Sequence, residues 1–330
     1  MRRVGGLMPL VYDIENFLDA YYKACQGKRD RESVKSFSAD LFTNLSRLRE
    51  SFIAGEYVFG KYHYFTIYDP KCRTICAAPF EERIIHHALI NVCKPYFERN
   101  LIYDTYATRE GKGIYKALEK AMLSMNRYAF VAKMDVRKFF DSISHTCLMG
   151  RLKRLFKDKE LLNVFSGIID SYNTDSGCGV PIGNLTSQYF ANQYLSGLDH
   201  YVKEVLKVPV YIRYMDDMLV FGTSRQEVRC YVESMRDYLN DRLRLELKPV
   251  VLESTVRGVA FLGYHVSRHK ILLSRRSKIR FKRKYKYYTR LLCENIYTES
   301  EYQKHILPLI AFTKKAYTAG FRKSVLEKYS

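Results

Sequence analysis

Tryptophan is absent from these 330 residues, and acidic side chains are scarce: 35 Asp and Glu stand against 55 Lys and Arg, a net charge of +20. Such a chain suits polyanions, whose phosphates its cations neutralise with release of counterions. No apolar run is long enough to span a bilayer, so no membrane partner is expected. The opening Met1-Arg-Arg-Val-Gly-Gly-Leu lacks the apolar core of a signal peptide. Internal repeats and low-complexity linkers are missing too. The eight cysteines, Cys25, Cys72, Cys76, Cys93, Cys147, Cys178, Cys230 and Cys293, form no Cys-x-x-Cys pair. Cys72 and Cys76 have His86 and His87 downstream, but no second cysteine pair completes a zinc site. The expectation is reduced, mostly buried thiols in a cytosolic protein. Tyrosine is what the chain has in excess, 28 residues, whose rings either stack on bases or fill a core.

Periodicity predicts helices over Asp13–Cys25, Val34–Phe52, Glu81–Phe97, Tyr115–Asn126, Leu148–Tyr172 and Gln226–Leu243. Aromatic and β-branched runs predict strands over Tyr57–Tyr68, from Tyr128 to Asp135, through the alternating Leu243, Leu245 and Leu247, and over Val256–Val266 with a turn at Gly263. A Gly-rich turn from Ser176 to Gly183 opens a helix from Leu185 to Leu206. The tail from Ser274 reads as helical and strongly basic, with Tyr285, Tyr287 and Tyr288 interleaved.

The most informative feature is Tyr214-Met215-Asp216-Asp217, set between two apolar runs that read as paired strands. Adjacent carboxylates at a hairpin tip repel each other unless a cation lies between them. Hard divalent cations prefer oxygen donors, and Mg²⁺ combines one or two carboxylates with substrate phosphates. A two-metal site needs a further carboxylate from a neighbouring strand. Asp135, closing an apolar strand about eighty residues earlier, is the candidate. A lone Asp in that position is more often a helix cap, and an Asp-Asp turn is more often only solvated. Their combination in a basic chain points to phosphoryl transfer on a nucleotide.

These residues carry a resemblance to reverse transcriptases. The stretch Lys71-Cys-Arg-Thr-Ile-Cys-Ala-Ala-Pro-Phe-Glu-Glu-Arg resembles the fingers motif that holds the incoming triphosphate. Tyr106-Ala-Thr-Arg-Glu-Gly-Lys-Gly resembles the adjoining basic loop, and Asp135-Val-Arg-Lys-Phe-Phe the first catalytic-acid motif. Tyr214-Met-Asp-Asp matches the second acid motif, and Phe261-Leu-Gly-Tyr resembles the turn that grips the primer. Most of the family carries Pro-Gln-Gly and then Ser-Pro, whereas this chain has Pro181-Ile182-Gly183-Asn184-Leu185-Thr186-Ser187-Gln188. That departure resembles the reverse transcriptases of diversity-generating retroelements. A retron-like or defence-associated bacterial enzyme is the alternative, and a basic RNA-binding protein with a structural acid pair is the non-enzymatic one.

The resemblance implies an α+β right-hand polymerase: N-terminal helices and fingers over 1–128, a palm over 129–271 with a helical insertion near 148–175, and a basic helical thumb over 272–330. It leaves no room for a maturase, endonuclease or ribonuclease H domain after the tail. It implies two Mg²⁺ ions, with Mn²⁺ as a substitute, held by Asp135, Asp216, Asp217 and the Val136 carbonyl. Arg73, with Arg109 and Lys112 as further candidates, would contact the triphosphate; Phe140 would exclude a ribose 2′-hydroxyl, a role Phe139 could take instead. Ile182, Gly183 and Gln188 would line the nucleotide site. Tyr214, Met215, Phe261, Leu262, Gly263, Arg275, Arg276, Lys282, Arg283 and Lys286 would contact nucleic acid. Lys248 stands where a general acid for pyrophosphate release is found. Implied partners are deoxynucleoside triphosphates, a template-repeat RNA, its RNA–DNA hybrid and an oligomeric accessory variability protein, in a bacterial or phage setting. Low fidelity opposite template adenines is implied as well.

Overall fold

The structure, a computed structural model, describes residues 2–68 and 72–329. Lys71, the first residue of the fingers-like motif, lies outside them. The chain divides into two compact units. One runs to Tyr103 and takes in Val136–Tyr201 and Asp237–Glu246; the other comprises Asp104–Asp135, Val202–Arg236 and Leu247–Ser330.

The first unit is mainly helical. The helix Leu185–His200 is buried on nearly every side, and a polar residue within it is satisfied internally: Gln193 donates to the Phe97 carbonyl at 2.9 Å. An aromatic cluster locks it in place: the Phe97 ring lies 5.4 Å from Phe156, 5.6 Å from Tyr189 and 6.2 Å from Phe165. Phe97 belongs to the helix Phe80–Arg99, which also packs on Ile14–Cys25. Asp13 caps the latter by accepting from the backbone of Glu15 and Asn16. A two-stranded antiparallel hairpin, β1 (His63–Ile67) with β2 (Arg73–Ala77), completes the unit.

Three expectations for this unit need correction. The helix expected over Val34–Phe52 breaks into Glu32–Ala39 and Leu41–Ile53 at Asp40, whose φ of −135° and ψ of 70° are not helical. Asp competes for local backbone groups and favours such breaks. The segment Leu148–Tyr172 is likewise two helices, His145–Leu155 and Lys159–Asp170. Asp158 divides them, capping Leu161 while its other oxygen accepts from the Leu7 backbone at 2.8 Å. Of Tyr57–Tyr68 only β1 is strand.

The second unit is built on a four-stranded antiparallel sheet of order β4-β5-β3-β6. Its strands are β3 (Phe130–Asp135), β4 (Val210–Tyr214), β5 (Asp217–Gly222) and β6 (Val251–Ser254). A three-stranded meander follows: β7 (Val259–Phe261), β8 (Tyr264–Val266) and β9 (Ile271–Leu273). Val131, Ile212, Leu219 and Phe221 of the sheet share a core with Leu118, Ala121 and Met125 of the helix Ile114–Arg127 and with Phe261 and Tyr264 of the meander. Here the strand expected through Leu243, Leu245 and Leu247 is wrong. All three are buried, but Leu243 ends the helix Arg225–Leu243 and the strand lies further on, at β6. Burial from an irregular segment gave the same alternation as a strand. Val256–Val266, expected as a strand with a turn at Gly263, holds that turn between β7 and β8, and its tip, Leu262-Gly263, has φ of 50° and 87°. Two left-handed residues suit the twist of a two-residue hairpin.

The C-terminal helices Arg275–Cys293, Glu299–Lys314 and Ala319–Tyr329 share a small core of Phe281, Tyr285, Ile306 and Val325. Tyr285 is therefore core, not a free aromatic, and Tyr288 stacks on His305 at 4.7 Å; Tyr287 alone of the three is exposed. All eight cysteines are free thiols, but only Cys25, Cys76 and Cys93 are buried, so the expectation of mostly buried thiols fails. No helix among the described residues is long and apolar enough to cross a membrane.

Phe221 is fully buried where sheet and helix meet. Phe221→Ala is expected to lower unfolding free energy by about 3–5 kcal/mol, read by chemical denaturation; a loss under about 1 kcal/mol would mean that the site collapses around the deletion.

Candidate active site

The site is set by strand register. β3 and β5 pair antiparallel with Asp135 opposite Asp217, the last residue of one strand against the first of the other. β4 and β5 form a hairpin in which Tyr214 faces Asp217, leaving Met215-Asp216 as its two-residue tip. Met215 has a φ of 53°, a left-handed conformation that costs a non-glycine residue about 1–2 kcal/mol. The buried Arg213 braces this tip, its guanidinium donating to the Met215 carbonyl at 3.3 Å. Three carboxylates thus come from two adjoining strand ends and one strained turn.

Electrostatics follow from that crowding. Burial, then the neighbouring charges of Asp135 and Asp217, push the Asp216 carboxyl up to about 6. Asp217 is raised too, by burial first, and is drawn back by Lys133. Two lysines hold the acids. The Lys248 ammonium pairs with Asp135 Oδ1, and its backbone N–H donates to the Asp135 carbonyl at 2.9 Å. Lys133 Nζ lies 3.3 Å from Asp217 Oδ1, an atom that is buried yet makes no hydrogen bond. Lys133 was missed by motif reading. The signal was there: it stands two residues before Asp135 on the same strand and therefore on the same face.

The donor set suits a divalent cation. It is all carboxylate oxygen, as a hard cation prefers, and Asp217 Oδ1 is buried with the Lys133 ammonium at 3.3 Å beside it. No group of three or more His, Cys, Asp or Glu side chains among the described residues is already gathered for a metal. Val136, fully buried, directly follows Asp135.

The remaining candidates fall in both units. Alongside the acids in the second unit, Arg109 is held by the loop it was expected to serve, donating to the Thr105 carbonyl at 3.1 Å and hydroxyl at 2.7 Å. The Lys112 ammonium lies 5.2 Å from the centre of the Tyr106 ring. That loop in turn pairs with β4, Tyr106 N–H donating to the Arg213 carbonyl at 2.9 Å. Tyr214 and Leu262 pack partly buried against the core; Phe261 is fully buried, so its ring anchors the hairpin while Gly263 stays exposed at the tip. Arg275, Arg276, Lys282, Arg283 and Lys286 are all exposed on the helix Arg275–Cys293.

In the first unit, Arg73 is exposed at the start of β2. Of the two phenylalanines, Phe139 is buried near Tyr194, and Phe140 is the half-exposed one. The Ile182 carbonyl accepts from the Cys76 N–H at 2.9 Å, stitching this residue to β2. Gly183 follows with a φ of 131°, and a Cβ there would stand 2.8 Å from the Cys76 carbonyl oxygen. Gln188 is exposed one turn into the helix Leu185–His200.

An antiparallel sheet that presents acids at a strand end and a hairpin tip suits metal-assisted chemistry on phosphate groups. A family model for reverse transcriptase (RNA-dependent DNA polymerase) matches residues 68–266, and the chain belongs to that family. It is 23% identical to protein YkfC of Escherichia coli K12 over 278 residues, 70% of this chain and 73% of that one. It is 20% identical to the mitochondrial nuclear intron maturase 1 of Arabidopsis thaliana over 112 residues, 30% of this chain but 16% of the maturase. Among solved structures, apo telomerase from Candida tropicalis superposes with a TM-score of 0.53 at 9% identity, over 69% of this chain and 52% of that one. The chain therefore spans about half the length of that structure and a small part of the maturase.

The raised Asp216 carboxyl makes stability depend on pH. Its folded value of about 6 exceeds the ordinary 3.8, so the fold favours the protonated form. That contribution is complete below the ordinary value and is lost as pH rises through about 6. Without divalent ions, the thermal midpoint is expected to fall over this range more steeply in the native chain than in Asp216→Asn. Added Mg²⁺ should raise it more at neutral pH than at pH near 5. Identical pH and Mg²⁺ responses in the two proteins would remove the claim.

Proposed function

We propose that this chain copies RNA into DNA and that it does so as the polymerase of a diversity-generating retroelement. The observation that carries the polymerase reading is the register pair Asp135–Asp217 with Asp216 at the adjoining tip. Asp135, Asp216 and Asp217, with the Val136 carbonyl, would hold the divalent ions. Bound there, two such ions activate a primer 3′-hydroxyl and neutralise the triphosphate and departing pyrophosphate. The protein's own share is to hold three carboxylates in a half-buried cluster and to keep two ammonium groups beside them. Lys248, paired with Asp135, is a weaker candidate for a general acid at pyrophosphate release. Residues 1–128, 129–271 and 272–330 serve as fingers, palm and thumb in this reading.

Arg73 is assigned to the triphosphate, because a guanidinium fork matches phosphate oxygens. Arg109 and Lys112 act through the loop they brace. Phe140 is the sugar gate, being the member of its pair not absorbed by the core. Leu262-Gly263 and the exposed cations of Arg275–Cys293 would grip primer and duplex by the backbone.

The retroelement assignment rests on Ile182 and Gln188. An apolar side chain at 182 offers neither donor nor acceptor near a nascent base pair, and sites lacking such groups discriminate less well. The reading brings a template-repeat RNA and an accessory variability protein as partners. The intron-protein relatives favour a second reading, an intron-type, retron-like or other bacterial reverse transcriptase. Near-repeats beside the gene that differ at adenines would separate the two.

Primer extension on an RNA template is expected to fall by at least about 10³-fold in Asp216→Asn; unchanged extension would end the polymerase reading. Phe140→Ala should admit ribonucleotides, lowering the preference for deoxynucleotides by about tenfold or more. Sequencing cDNA from a defined RNA should show fewer errors opposite adenine in Ile182→Gln than in the native chain. Equal error spectra would detach Ile182 from fidelity.

A further inference from the structure

A second basic site lies in the first unit, formed without any residue assigned above. The N-terminal segment runs beside the end of the helix His145–Leu155: Val4 N–H donates to the Leu155 carbonyl at 2.9 Å, and Lys157 N–H to the Val4 carbonyl at 2.7 Å. This stitching brings Arg3 to the wall of a cleft of about 700 Å³ that Arg151, Lys153, Arg154 and His200 also line. No carboxylate lines it, and among the described residues no acid pairs with Arg3, Arg151, Lys153 or Arg154. Two of these cations have a local explanation, since Lys153 and Arg154 close a helix whose C-terminal dipole favours positive charge. Arg151 does not. It is half-buried, lies against the Gly197 backbone of the central helix, where any Cβ would collide with its guanidinium, and has the Tyr238 hydroxyl at 3.4 Å as its hydrogen-bond partner. Half-burying a guanidinium without a carboxylate is costly, and small residues, Ser196 and Gly197, keep the cleft open around it.

We infer that this cleft docks the phosphodiester backbone of a single-stranded RNA segment outside the polymerisation site. The proposal takes from the proposed function only the choice of RNA as the polyanion. Several cations around a concave, polar-floored cleft match successive phosphates, and the planar Arg151 fork suits one phosphate in bidentate fashion. An acidic protein segment would meet the same charges, but few such segments carry an anionic group on every residue, as a phosphodiester chain does.

The test uses the full chain carrying Arg3→Glu, Lys153→Glu and Arg154→Glu together, all at exposed positions, with circular dichroism and thermal unfolding to verify the fold. Fluorescence anisotropy with a short single-stranded RNA should show affinity reduced about tenfold or more and a salt dependence shallower by about two log units per log unit of salt. Extension of a preannealed primer on an RNA template, at saturating template, should be unchanged. Arg151→Gln should weaken RNA binding and Arg151→Lys should restore it in part. Unchanged affinity and salt slope in the triple variant would overturn the proposal. So would equal loss of extension at saturation, or displacement of poly-glutamate but not of RNA by the charge reversal. If even the native chain extends no primer while the variant still loses RNA affinity, the polymerase reading fails and this site stands.

Discussion

Everything distinctive in this molecule depends on a single register: β3 against β5 with Asp135 opposite Asp217. Register in a sheet is unforgiving, because a slip of one residue turns every side chain to the other face. Here such a slip would also carry Val131, Leu219 and Phe221 out of the core. The same apolar residues that stabilise the sheet therefore fix the acids within range of one another. Hydrophobic burial, which is indifferent to charge, sets the position of the charges.

The arrangement is unfavourable by itself. Burial first, and then the charges of Asp135 and Asp217, raise the Asp216 carboxyl, and the tip that carries Asp216 adds a left-handed Met215. Lys248 and Lys133 offset part of the repulsion. Strain and like charge concentrated on one turn, inside an otherwise well-packed sheet, mark that turn as a candidate functional site. A structural acid pair has no reason to draw a third carboxylate into register.

Much of this was legible in the chain. Apolar runs rich in β-branched and aromatic residues marked β3, β4 and β5, and the acids were found because they punctuate those strands. The polymerase fold followed from the order of the motifs. Other features were not legible for physical reasons. Asp158 splits one expected helix by capping the next, whereas Asp40 splits another through its non-helical backbone, with no side-chain cap. Leu245 and Leu247 imitate a strand because burial alternates in irregular backbone as well. Tyr285 looked like a nucleic-acid contact because sequence shows a ring's neighbours along the chain, not those across the helical core of Phe281 and Val325. Lys133 was hidden by its ordinariness, as one lysine among many whose partner lies on another strand.

Ile182 shows where such a scaffold leaves freedom to vary. Its main chain is fixed, since the carbonyl accepts from Cys76 and the following Gly183 has a conformation and a closeness to the Cys76 carbonyl that no other residue tolerates well. Its side chain is only half-buried and is not needed to hold the turn. Exchanging an amide for a sec-butyl group at this position therefore changes the chemistry offered to a neighbour without moving the backbone that offers it. Substitution of that side chain alone leaves the β1–β2 hairpin and the main chain of the turn as they are. A change of fidelity by way of the backbone would instead have to break the Cys76–Ile182 bond or the Gly183 contact, and so would be felt first as lost stability.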